Sequence, residues 1–115
     1  MTNLALIVLI AAAALPSAAD ADPGLARISK AQVDSLDAYF ACAHAAMRSS
    51  QANGVSNQGF PAALSSTCAG EERELRRRSE ALFAAKGIAP GHARARTDAA
   101  VDAARNDLIR VYSER

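Results

Sequence analysis

The sequence predicts an all-α fold: a small three-helix up-down-up bundle with one disulfide between helices 1 and 2, preceded by a signal peptide. Three observations predict it. Apolar residues recur at spacings of three and four along three stretches, which is the period of an amphipathic helix and not of a strand. Helix start and stop residues flank those stretches. Cys42 and Cys68 are the only cysteines in the 115 residues, and each falls on a predicted helix.

The leader is read first, because it sets the compartment. Leu4 to Leu15 is an unbroken apolar run, closed by Pro16 and by small residues up to Ala21. This is the pattern of a secretory signal peptide over 1–21, with cleavage after Ala19 or Ala21. Its n-region, Met1-Thr2-Asn3, carries no Lys or Arg. The run is too short to span a bilayer, which takes roughly 20 apolar residues. No stable membrane span is expected after cleavage, and the expected address is the periplasm or the exterior. Residues 22–115 then form a single helical domain. In an oxidising compartment an even pair of cysteines reads as a disulfide. Closing the loop between Cys42 and Cys68 stabilises by ~3.5 kcal/mol in the chain-entropy model.

Helix 1 is expected over 30–48. Ser29-Lys30-Ala31-Gln32 is a capping box, and Ile28 with Val33 supplies a hydrophobic staple. Val33, Leu36, Phe40, Ala43 and Met47 then form one apolar stripe. Asp22-Pro23 offers an earlier start, since Pro suits the first helical turn. Residues 49–59 are polar and turn-rich, and read as a spacer or an exposed recognition loop. Helix 2 is expected over 61–86, with Leu64, Cys68, Leu75 and Leu82 on a narrow arc. Gly70 marks a kink or a later start. Gly87 and Pro90 end the helix, with Ile88 placed for a Schellman motif on Phe83. Helix 3 is expected over 91–112, with Thr97, Val101, Ala104, Leu108 and Val111 as its stripe.

Composition excludes some functions and constrains stability. The net charge is +1 at pH 7, and Asp20 is the only charged residue before position 22, so the domain is close to neutral. Nothing in that balance calls for nucleic acid. Trp is absent and alanine is abundant. The core is therefore thin, and a thin core in a small chain needs a staple or a partner.

Motifs with chemical content are few. Cys42-Ala43-His44, with Cys68 and His92, has the residue types of a metal site. Residues two apart on a helix do not face each other, however, and close ligand pairs are missing. No C-x-x-C, C-x-x-C-H or Gly-x-Ser-x-Gly pattern is present. No catalytic residues, no metal site and no cofactor are expected. The densest charge run, 71–80, holds Arg76, Arg77 and Arg78. Glu72, Glu74 and Glu80 stand four residues from an arginine, so the run reads as a self-paired helix face. Ile109 and Tyr112 lie at the edge of the last stripe and would form a contact patch if exposed.

The expectation is a non-catalytic secreted or periplasmic protein that acts by contact with another protein, as an inhibitor, accessory subunit or chaperone-like factor. Its candidate contact residues are Arg76, Arg77, Arg78, Ile109 and Tyr112. One alternative is a metal or small-ligand carrier that uses free thiols at Cys42 and Cys68 with His44 and His92. A second is an envelope-surface module that binds lipid or glycan through the three arginines. In layout, a leader followed by two helix-borne cysteines resembles small secreted proteins of Gram-negative bacteria. It also resembles periplasmic acid-stress chaperones, which are small helical proteins with one disulfide. The resemblance is one of layout, and no residue is carried over from it.

Overall fold

The computed structural model describes residues 22–115; the signal peptide expected over 1–21 lies outside the described residues. These residues are helical, in the order α1 (Pro23–Ala52), α2 (Phe60–Thr67), α3 (Ala69–Ala85) and α4 (Pro90–Ser113). The expected three helices are therefore four among the described residues, because the stretch expected as one helix over 61–86 is broken. No helix among the described residues is long and apolar enough to cross a membrane.

Helix α1 uses the earlier of its two start signals. The Asp22 carboxylate accepts the Gly24 N–H at 2.9 Å, and Pro23 sits in the first turn. Ser29 to Gln32 lies inside the helix, so the expected capping box is not used. One cap seven residues upstream suffices, because nothing between Gly24 and Ile28 opposes helix. The Gln32 amide instead reaches across to the Ser79 hydroxyl at 3.5 Å. The helix also runs past Arg48 to Ala52, where Asn53 donates from its side chain to the Ser49 carbonyl at 2.8 Å. Gly54 then turns the chain with φ of 68°.

The break between α2 and α3 is a single residue. Cys68 leaves helical geometry, with φ −111° and ψ 23°, and its disulfide to Cys42 brings the two Cα atoms to 5.9 Å. Cys68 still donates to the Leu64 carbonyl, and Glu72 donates to the Cys68 carbonyl. Thr67 ends one helix and Ala69 begins the next, so Cys68 is the one non-helical residue between them. Gly70 lowers the helical preference at this point. The far end of α3 closes as a Schellman motif. Gly87, with φ of 82°, donates to Ala84, and Ile88 donates to Phe83, both at 3.0 Å.

Two crosslinks set the direction of the helices. Cys42–Cys68 and Gln32–Ser79 run α1 antiparallel to α3. Arg76 pairs with Asp98 at 2.5 Å and with Asp102 at 3.5 Å, and with the short 86–89 turn this folds α4 back antiparallel along α3. Helices α1 and α4 thus point the same way. Both pack along α3 and hardly approach each other.

The core is built from small residues plus a few large ones. On α1 the buried positions are Ser35, Tyr39, Ala43, Ala46 and Ser50. The expected stripe shares Ala43 with this set but is centred about 80° away around the helix. Leu36, Phe40 and Met47 are only partly buried, and Val33 is half exposed. Small buried residues let α1 and α3 approach closely, which moves the bulky side chains to the flank. On α4 the buried positions are Ala93, Thr97, Val101, Leu108 and Tyr112, while Val111 is 41% exposed.

One end of the bundle is held by aromatics. The Phe60 and Tyr112 rings are stacked, 4.0 Å apart and 5° from parallel. The Arg115 guanidinium lies 3.8 Å from the Tyr112 ring centroid. The Tyr112 hydroxyl donates to the Val55 carbonyl at 2.6 Å, and Arg105 donates to the Pro61 carbonyl at 3.2 Å. Through these contacts α4 clamps the 53–59 loop and the start of α2.

Two outcomes follow for stability. Replacing both cysteines, Cys42→Ser with Cys68→Ser, should cost about 3.5 kcal/mol in a urea denaturation series, the loop-closure value. Gly87→Ala should cost about 1 kcal/mol in the same assay, because Ala at positive φ is strained.

Candidate functional site

Because α1 and α4 both rest on α3 and hardly approach each other, a trough of about 310 Å³ opens between them. Its floor is Leu75 and Ser79 of α3, and α1 supplies Gln32, Leu36 and Phe40 as one wall. The other wall is Ala100, Val101 and Ala104 of α4. The two walls differ in kind. On α1, Leu36 and Phe40 sit one turn apart and project bulk. On α4, Ala100 and Ala104 sit one turn apart and leave the backbone approachable. The polar end is the Gln32–Ser79 contact, which uses one of the Gln32 donors.

This trough was partly legible in the sequence. Leu36, Phe40, Leu75, Val101 and Ala104 were all assigned to apolar stripes. The opening itself is not encoded in any stripe, because a stripe gives the apolar side of a helix and not the neighbour that covers it. The available signal is the double width of apolar residues on α1, where 39, 43 and 46 run alongside 36, 40 and 47.

The residues singled out from sequence are scattered. Arg76 is the clasp between α3 and α4, and also lies 3.6 Å from Glu72. Arg77 and Arg78 both bond to Glu74, at 2.6 and 2.7 Å. Those two guanidiniums hold the Glu74 carboxyl below its ordinary pKa, Arg78 contributing most. Consecutive on the chain, the three arginines are committed to acidic neighbours and do not converge on one surface. Ile109 is partly buried against the core. Tyr112 has no exposed surface, so its place in a contact patch is corrected: it is the stacked core residue described above.

The carrier reading also meets a correction. It requires free thiols, and Cys42 and Cys68 are joined to each other. His44 is exposed, with its ring edge-on to Phe40 at 6.5 Å. His92 is exposed in the first turn of α4. Among the described residues no group of three His, Cys, Asp or Glu side chains comes together as a ligand set.

Buried polar groups are the other departure from expectation. The hydroxyls of Tyr39 and Thr97 have no partner among the described residues, though both residues are almost wholly buried. Burial, and next the Glu72 charge, raise the Tyr39 pKa above its ordinary 10.0, with Arg105 and Arg76 opposing. An unpartnered buried hydroxyl costs ~1–3 kcal/mol relative to an apolar group of the same shape.

The two buried tyrosines should therefore respond in opposite ways to loss of the hydroxyl. Tyr39→Phe should leave stability unchanged or raise it by ~1 kcal/mol, while Tyr112→Phe should lower it by ~1 kcal/mol through the lost bond to Val55. A raised tyrosine pKa means that the folded state holds its proton more tightly than the unfolded chain. That contribution is complete below pH 10.0 and is lost as pH rises through the folded value. Tyr39→Phe should accordingly flatten the alkaline fall in stability, measured by urea midpoints across the alkaline range.

Comparison of the chain with protein-family models, with curated proteins and with solved structures finds no match in any of the three.

Proposed function

We propose that this chain is a small secreted or periplasmic helical protein that acts by contact, receiving an amphipathic helix of another protein in the α1–α4 trough. It carries out no catalysis of its own. The observation that supports this reading is the trough itself. Two helices running in the same direction flank a third, which is the arrangement of a four-helix bundle with one position open. A helix laid there would meet Leu36 and Phe40 on one side and the Ala100–Ala104 backbone on the other. This is the helix-in-groove mode, read by anchors at i, i+3, i+4 and i+7. Full burial of a Leu or Phe side chain is worth ~1.5–3 kcal/mol, and both wall residues are only partly covered by the fold.

The leader pattern and the disulfide support an oxidising, exported setting. The paired arginines give less support to the lipid or glycan module, because their charge is already met by Glu72, Glu74, Asp98 and Asp102.

A photo-crosslinking residue at Ala100, which lines the trough, and one at Asn106, exposed elsewhere on α4, test the reading. In cells that export the protein, position 100 should give one discrete adduct with a different protein, and position 106 should not. Leu36→Asp should abolish that adduct while leaving the folded protein intact by circular dichroism. The reading is overturned by the same adduct from both positions, by none from either, or by an adduct of twice the chain's own mass.

A further inference from the structure

A second depression, of about 390 Å³, opens between the C-terminal half of α1 and α2. Small side chains line it, Ala45, Ser49 and Ala63 among them, and Cys42 forms part of its wall. The two sulfurs of the disulfide are not equivalent. Cys42 is half-buried and faces this groove, whereas Cys68 is 1% exposed. An incoming thiolate therefore has access to one sulfur and not to the other. Small side chains around Cys42 also allow the backbone of a partner to come close.

The other half of the bond ends at a helix junction. Cys68 is the residue that closes α2 and precedes α3. A thiolate released there would sit at the N-terminal end of α3, where the helix dipole favours negative charge, partly offset by Glu71 and Glu72 in the first turn. The Thr67 carbonyl lies 3.7 Å from the Cys42 sulfur. The oxidised sulfur carries no proton for it, but a Cys42 thiol would donate to that carbonyl. The junction also interrupts the helix at Cys68, between Thr67 and Ala69. A continuous helix from α2 into α3 would carry the i to i−4 bonds of the Ala69, Gly70 and Glu71 N–H groups across that residue.

We propose that Cys42–Cys68 is a thiol–disulfide exchange site, opened at Cys42 by a dithiol partner that enters the α1–α2 groove, and that opening it straightens the α2–α3 junction. The partner thiolate attacks the Cys42 sulfur, forming a mixed disulfide and releasing the Cys68 sulfur as a thiolate, which takes up a proton. The partner's second thiolate then attacks its own sulfur in the mixed bond and releases Cys42 as a thiolate. Two electrons pass from the partner dithiol, which becomes a disulfide, to this chain, which becomes a dithiol. Because the bond stabilises the fold, the exchange requires a strongly reducing dithiol. Straightening would carry Phe60 away from Tyr112 and uncover the stack.

Reduced glutathione tests the first half on the oxidised, native protein. After acid quenching and peptide mass mapping, the adduct should lie on Cys42 in about tenfold excess or more over Cys68. The rate should stay flat in urea below the unfolding transition, as native-state attack requires. An adduct shared equally or favouring Cys68 overturns the proposal. So does a rate that climbs with urea as steeply as global unfolding. Amide hydrogen exchange by NMR tests the second half. After full reduction with dithiothreitol, the amides of Ala69, Gly70 and Glu71 should exchange about tenfold more slowly or better than in the oxidised protein. Unchanged exchange at those amides, or unfolding of the reduced chain, overturns the straightening.

Discussion

The covalent tie between the middle of α1 and the α2–α3 junction is the constraint on which the other contacts rest. It fixes which residues of α1 face α3, and so admits Ala43 and Ala46 to the core while turning Leu36, Phe40 and Met47 aside. It also bends the chain at Cys68, which brings Phe60 over Tyr112. Without many large buried side chains, the fold has little hydrophobic surplus, and a crosslink in this position supplies what packing alone does not. The thin core and the disulfide are two sides of one arrangement, because small residues are what let the helices come close enough to be joined.

Much of the fold was legible from local signals. The Gly87–Ile88 cap and the helical class follow from a few adjacent residues with one dominant preference, and the pairing of the cysteines follows from there being only two. The failures share another cause. The expected α1 stripe follows bulky residues and Ala43, of which only Ala43 is buried; burial follows closeness of approach, and Ser35 and Ser50 lie inside where Val33 does not. The capping box at Ser29 has good chemistry, but a cap at Asp22 had already begun the helix. Tyr112 looked like an edge residue because its partners, Phe60 and Val55, are far away in sequence and no pattern announces them. The trough was invisible for a related reason: a stripe shows which side of a helix is apolar, not whether a neighbour covers it.

Electrostatics organises the surface without making it a binding site. Arg76 joins two helices, while Arg77 and Arg78 share one carboxylate. Most of these pairs are solvated and individually worth little. Their effect is to neutralise a run of charge that would otherwise repel itself, and to leave the apolar trough as the distinctive surface of the bundle. Arg110 does the same at the end of α4, held between Asp107 and Glu114.

The aromatic stack has a consequence for the order in which the chain assembles. Tyr112 meets Val55 and Phe60 across more than half of the domain, whereas Cys42 and Cys68 are much closer in sequence. A chain emerging from its amino end presents both cysteines well before Tyr112, so the crosslink can close on an incomplete bundle. Oxidation then precedes the last packing step, and α4 docks onto a hairpin whose bend has already been set. The slowest contact to form is thus the one that seals the end of the bundle, and an arrested chain would expose Phe60 and the 53–59 loop.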